Sequence, residues 1–154
     1  MKKKVLICLF TLSIFLTGCN NKQSSFTMEC TTKKENSGEI ETQNVIIYNF
    51  NKDQIATSYS AITTQKFTSK ETYKIYKDAQ EQTTKNSQNE NVTYKLKSND
   101  KKKTLIFTMT LKNIDKNISS DEEKETLKVS TILKNNEKGK VDCKLKGINK
   151  NKLK

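Results

Sequence analysis

Leu105, Phe107, Met109 and Leu111 stand at every second position, with Thr108, Thr110 and Lys112 between and after them. A period of two is the spacing of a β-strand with one buried face. The same spacing recurs at Phe26, Met28 and Cys30, and at Ile46, Tyr48 and Phe50. It returns at Ile55, Thr57, Tyr59 and Ala61, at Val92, Tyr94 and Leu96, and at Val141, Cys143 and Leu145. Asn51-Lys52-Asp53-Gln54 and Ser98-Asn99-Asp100-Lys101 are turn sequences between neighbouring runs. Each flanked turn reads as a β-hairpin. The polar stretch Lys33 to Gly38 reads as a loop.

The period changes in two places. Thr68-x-x-Glu71 fits a capping box, and Tyr73, Ile75, Tyr76, Ala79 and Gln80 follow at helical spacing. This predicts a helix over 69–83. Ser120-x-x-Glu123 is a second box, with Asp121-Glu122-Glu123 in the first turn, where the helix dipole favours acids. Leu127 to Leu133 supplies that helix with apolar residues, although Val129-Ser130-Thr131-Ile132 also fits a strand. Gly139 stops it. The expected architecture is α+β: an antiparallel sheet of about five strands, two hairpins plus terminal strands, with two helices on one side. The expected core is Met28, Ile46, Tyr48, Ile55, Ile75, Leu105, Phe107, Met109, Leu127 and Ile132.

A different logic governs the first 18 residues. Lys2, Lys3 and Lys4 precede an apolar run from Val5 to Leu16, interrupted by Thr11 and Ser13. As a helix such a run spans roughly 18 Å, short of the roughly 30 Å hydrocarbon core of a bilayer. It suits a signal peptide better than a permanent span. Leu16-Thr17-Gly18-Cys19 matches the lipobox: aliphatic, small, small, cysteine. The reading is a signal peptide over 1–18 and a lipidated Cys19 with a tether over 19–25. A single α+β domain over 26–146 and a basic tail over 147–154 follow. Two or more acyl chains on Cys19 make a stable anchor. The expected location is the extracytoplasmic face of the cell membrane.

Of the four cysteines, Cys8 goes with the signal and Cys19 with the anchor. Cys30 and Cys143 remain, in a compartment that permits oxidation. They form one disulfide or stay as two free thiols; the thin core favours the bridge.

The absences narrow the chemistry. There is no His, Arg, Trp or Pro. Without His the usual neutral-pH acid–base group and the commonest transition-metal ligand are missing. Without Arg the usual carboxylate and phosphate fork is missing. No phosphate-binding loop, nucleophile elbow or paired-cysteine motif is found. The acids Asp121-Glu122-Glu123 lack the spacing of a calcium loop and read as a helix start. The site reading is therefore lipidation at Cys19 and a bridge at Cys30 and Cys143, with no catalytic, cofactor or metal residue. Tyr73 and Tyr76 fit a core edge better than a ligand-stacking pair.

Three functions follow in order. The first is a non-enzymatic envelope lipoprotein that binds a ligand, a polymer or another protein. The second is an enzyme or accessory factor acting on envelope material through carboxylates such as Asp53 or Glu71. The third is a basic protein that reads anionic lipid or wall polymer by charge. The net charge is +12, and losing Lys2, Lys3 and Lys4 lowers it by three to +9. The lysines lack the interleaved aromatics of a nucleic-acid reader, so nucleic acid is not an expected partner.

The chain resembles the YehR-like small bacterial lipoproteins. The likeness rests on the lipobox cysteine, the strand Phe26-Thr27-Met28-Glu29-Cys30, a hairpin turn holding Lys52-Asp53 and a central helix. It continues through Val92-Thr93-Tyr94-Lys95 and the closing Val141-Asp142-Cys143-Lys144. The 122–140 segment departs from that pattern in being rich in Lys and Asn. The resemblance implies a compact α+β domain with a disulfide and carries no catalytic site.

Overall fold

A computed structural model of the chain describes residues 26–148 together with Asn151 and Leu153. The expected signal peptide over 1–18, and Cys19 with the expected tether over 19–25, lie outside the described residues. The strands are β1 (Phe26–Thr31), β2 (Glu35–Ser37), β3 (Ile40–Phe50), β4 (Ala56–Phe67), β5 (Val92–Asn99), β6 (Thr104–Leu111) and β7 (Asp142–Lys146). The helices are α1 (Lys70–Asn86), α2 (Asp121–Thr126) and α3 (Val129–Lys138), with a 3-10 turn at Ile114–Asn117. All pairings are antiparallel, and the open sheet runs β5-β6-β4-β3-β1-β7, with β2 paired to β3.

The α+β class is as expected, but the sheet has seven strands and not about five. One extra strand is β2, whose three residues are all exposed and carry no alternation to read. The central hairpin is also longer than its apolar pattern: β3 has 11 residues and β4 has 12. Gly38, at φ +58°, makes the tight β2–β3 turn. At the β3–β4 turn the Asn51 side-chain oxygen accepts from the backbone N–H of Asp53 and of Ile55, at 3.0 and 3.1 Å. This local bond set is why Asn opens the turn.

Residues directly opposite in an antiparallel pair share a face. The register therefore places Phe26, Met28, Cys30, Tyr48, Phe50, Tyr59, Leu105, Met109 and Leu145 on one face. Both helical groups cover that face. α3 lies over a cluster of Phe26, Met28, Cys30, Phe50, Ala56, Val129 and Ile132. α1 lies over a second cluster of Phe67, Tyr73 and Leu105. Ile148 and Leu153 of the basic tail pack against the first cluster.

Three expectations need correction. Ile75 is 68% exposed and belongs to no core. α1 turns Tyr73, Lys77, Gln80 and Thr84 toward the sheet instead, a stripe that is polar apart from Tyr73. Ile46, Tyr48, Phe107, Met109 and Leu127 are half-buried; the four on strands lie where neither helical group fully covers the face, and Leu127 lies at the break between α2 and α3. The cap of α1 is Ser69, not Thr68: the Ser69 hydroxyl accepts from the Thr72 N–H at 3.2 Å. Glu71 does not close the box. Glu39, in the β2–β3 turn, ties down the first turn of α1 by a different bond, its carboxylate accepting from the Thr72 hydroxyl at 2.7 Å. Ser69→Ala is expected to cost about 1 kcal/mol of stability, measured by urea unfolding.

The second helical segment is broken in two. Its cap is as expected: the Ser120 hydroxyl accepts from the Glu123 N–H at 3.2 Å. Glu123 reaches back to the N–H and hydroxyl of Ser119, at 2.8 and 2.9 Å. The break falls at Leu127-Lys128, where the chain pairs briefly with Ile55. The Ala56 N–H donates to Leu127 O, and the Val129 N–H donates to Gln54 O. Those sheet-type bonds take the place of helical ones. The apolar residues after the break are helical, in α3, and not a strand. α3 ends at Lys138 with Gly139 as its cap, and the left-handed residue is the following Lys140, at φ 55°.

Candidate functional site

Cys30 and Cys143 face each other across β1 and β7 and are joined by a disulfide. Cys30 is buried and Cys143 packs against the α3 cluster. The bond ties the first described strand to the last across 113 residues of sequence. Neither sulfur is available as a nucleophile.

The carboxylates named from the sequence do not meet. Asp53 sits in the β3–β4 turn, before β4 begins at Ala56. Glu71 sits in the first turn of α1, after β4 ends at Phe67. The full length of a 12-residue strand separates them, about 35 Å. Asp53 instead borders a wide cleft of about 800 Å³, together with Asp115, Asp121, Lys124 and Lys128. Asp53 and Asp121 are exposed and Asp115 is half-exposed. Nothing on that surface shields one acid from water and leaves another hydrated, the usual way to divide acid from base. Of the helix-start acids, Glu123 is held below the usual carboxylate range by the Ser119 N–H, then by the Ser119 hydroxyl. Among the described residues no three side chains of the metal-ligating types converge.

Tyr73 is taken up by packing, and Tyr76 only lies against its edge. Tyr73 is buried, its ring 5.8 Å from Phe67 in an edge contact. Its hydroxyl donates to Asp100, which also takes Lys77 at 3.0 Å. Burial, then the Asp100 hydrogen bond, raises the Tyr73 phenol above its ordinary value. Tyr76 is 39% exposed, with its ring 5.3 Å from Phe67.

This cluster gives a pH prediction. Asp100 is depressed, first by the Tyr73 hydroxyl and then by Lys77. A carboxylate lowered in the folded state stabilises above its unfolded value, and the effect is lost as pH falls through the folded value. Asp100→Asn is therefore expected to be less stable than the parent at neutral pH. The gap should close as pH drops below about 4, the unfolded Asp range. Parallel urea titrations along a pH series measure it.

A smaller hollow, about 290 Å³, lies between the sheet and α3. Tyr48, Tyr59, Leu127, Ile132, Asn135 and Asn136 form its main walls. Tyr48 and Tyr59 are opposite one another in the β3–β4 register, with ring centroids 5.9 Å apart and planes tilted by 43°. Burial chiefly raises the Tyr48 phenol, the Tyr59 phenol adds to this, and the Asn136 side chain opposes it by hydrogen bonding. Two aromatic rings with nearby amides fit a small ligand that presents an apolar ring face and hydroxyl or amide groups. Sequence reasoning saw Tyr48 and Tyr59 as strand residues and did not join them. Their placement around the turn was the available signal. Nothing in the sequence pointed to Asn135, Asn136 or Asp115.

None of the helices among the described residues is long and apolar enough to cross a membrane. No family model, curated protein or solved structure matches the chain.

Proposed function

We propose that the chain is a bacterial lipoprotein, held by lipid on Cys19 at the extracytoplasmic face of the cell membrane. Its domain is a non-enzymatic binding module of the envelope. The carrying observation is the order Lys2-Lys3-Lys4, the apolar run to Leu16, and Leu16-Thr17-Gly18-Cys19. Each part serves a distinct step: membrane targeting, insertion and acylation of a thiol. The Cys30–Cys143 bond supports this reading, since stable disulfides belong to oxidising compartments. The likeness to the YehR-like lipoproteins points the same way. The tyrosine hollow is the proposed seat of a small ligand.

The test is localisation in the native bacterium. The protein should sediment with membranes and be shaved by protease added to cells whose wall or outer membrane has been opened. Cys19→Ala should abolish membrane retention by lipid. A protein found in the cytosol, resistant to external protease, would overturn the reading. Cross-linking of the membrane-bound form, followed by mass spectrometry, identifies what it touches.

A further inference from the structure

The other sheet face carries Thr27, Glu29, Val45, Ile47, Ser60, Ile62, Thr64, Ile106 and Thr108 by register. Among the described residues no helix packs on it, because α1 and α3 both lie on the opposite face. Its acids are already matched. Glu29 takes Lys146 at 2.7 Å, Glu41 takes Lys34 at 3.0 Å, and Asp142 lies 3.9 Å from Lys144. Lys66, Lys95 and Lys97 also belong to this face, toward the β5 edge. All three are exposed, and none of their side chains makes an ion pair or hydrogen bond with another described residue. Lys101 and Lys102, in the β5–β6 turn, are equally exposed and unpaired at the same end.

We infer that this bare face, through Lys66, Lys95 and Lys97, docks a phosphate-bearing linear polymer of the envelope. Lys95 and Lys97 are two residues apart on one strand, about 7 Å. Lys97 lies opposite Ile106, which lies opposite Thr64, two residues from Lys66. That places Lys66 about 12 Å from Lys97 across two strand spacings. The hydroxyls of Thr64, Thr93 and Thr108 lie among these lysines with no partner among the described residues. Ammonium groups in a row with free hydroxyls between them suit phosphodiester oxygens on a flexible chain.

Two features favour a polymer without bases over other polyanions. The strand aromatics Phe26, Tyr48, Phe50, Tyr59, Tyr94 and Phe107 all stand on the opposite face. Among the described residues this face has no ring on which a nucleobase could stack, the usual platform for single strands. The second feature is direction. Phe26 lies opposite Phe50 and Lys66 opposite Glu41, so nine residues of β3 separate the two levels, about 30 Å. Seven residue steps from Cys19 to Phe26 reach at most about 25 Å. Phe26 thus stays within about 25 Å of an anchor on Cys19, while the lysine end lies about 30 Å along the sheet from Phe26 and can stand clear of the bilayer. This inference rests on the extracytoplasmic reading above and is independent of the tyrosine hollow.

The test uses the full chain purified from membranes in a neutral detergent, with synthetic poly(glycerol phosphate) as probe. The parent should bind, with affinity falling as salt rises. K66Q/K95Q/K97Q should weaken binding about ten-fold and lower the salt slope by about two, since three phosphate contacts are lost. K134Q/K138Q/K140Q, which removes equal charge from α3 and its end, should change affinity less than two-fold. Thermal melting confirms that both triple variants fold. Equal losses in the two triples would overturn the proposal, because net charge alone would then explain binding. So would no binding, or tighter binding to oligothymidylate or to phosphatidylglycerol nanodiscs. The mass of the Cys19 peptide from the same preparation separates the two claims. Polymer binding without acylation would sink the anchor and leave the surface standing; acylation without binding does the reverse.

Discussion

Replacing both Cys30 and Cys143 by serine is expected to lower unfolding stability by about 2–5 kcal/mol. The bond closes 113 residues of sequence. In the chain-entropy account a loop of that size restricts the unfolded ensemble by about 4.7 kcal/mol. The cost falls on a domain whose total stability is of order 5–15 kcal/mol. The geometry adds a second reason. β7 has only five residues, lies at the sheet edge and pairs with β1 alone. Its interior-facing apolar side chains are Cys143 and Leu145. Without the bond, β7 and the tail residues Ile148 and Leu153 are held to the first cluster only by strand pairing and apolar packing. Chemical denaturation of the parent, with and without reductant, and of the double variant measures this. Equal midpoints in all three would show that the bond contributes nothing.

Phe50→Ala is expected to cost about 3–5 kcal/mol, as large aromatic truncations in a closed core do. Phe50 is fully buried, and its ring stacks on Phe26 at 4.8 Å with planes 10° apart. It sits at the end of β3, just where the register shifts between Asn49 and Phe50. The shift aims the ring at the cluster under α3, so truncation leaves a hole that backbone pairing prevents from closing. Ile75→Ala is the matched control. It removes three aliphatic carbons from a helix face that is open to water, so its effect should stay within about 0.5 kcal/mol. A large loss at Ile75 with none at Phe50 would invert the assignment of the core.

That contrast shows what was legible in the sequence. Period-two runs located every long strand, because one sheet face is buried and the alternation survives in Leu105, Phe107 and Met109. The second half of β4 escaped notice. Its residues Thr63, Thr64 and Gln65 are polar on both faces. Gln65 meets α1 through a hydrogen bond from Gln80 at 2.9 Å, not through apolar contact. The same polar seam explains Ile75. A helix that docks through Tyr73 and then Lys77, Gln80 and Thr84 leaves Ile75 outside, and hydrophobic periodicity then points to the wrong side. The cap of α1 falls at Ser69, one residue past Thr68, and its first turn is tied by Glu39, which accepts from the Thr72 hydroxyl 33 positions away, and not by Glu71. The break at Leu127-Lys128 depends on pairing with Ile55, a long-range event with no local signature. Of the candidate sites, the cysteine pair was legible because two cysteines admit one pairing. The hollow at Tyr48 and Tyr59 and the bare lysine face needed the register of four strands before their residues could be seen as neighbours.

The most direct measurement is the intact mass of the N-terminal peptide of the protein recovered from membranes of its own bacterium. Cleavage before Cys19, with a diacylglyceryl thioether on that sulfur, is the expected result, and Cys19→Ala should leave an uncleaved, unlipidated chain. A mature chain that still begins at Met1, or one cut elsewhere with Cys19 unmodified, would contradict the account.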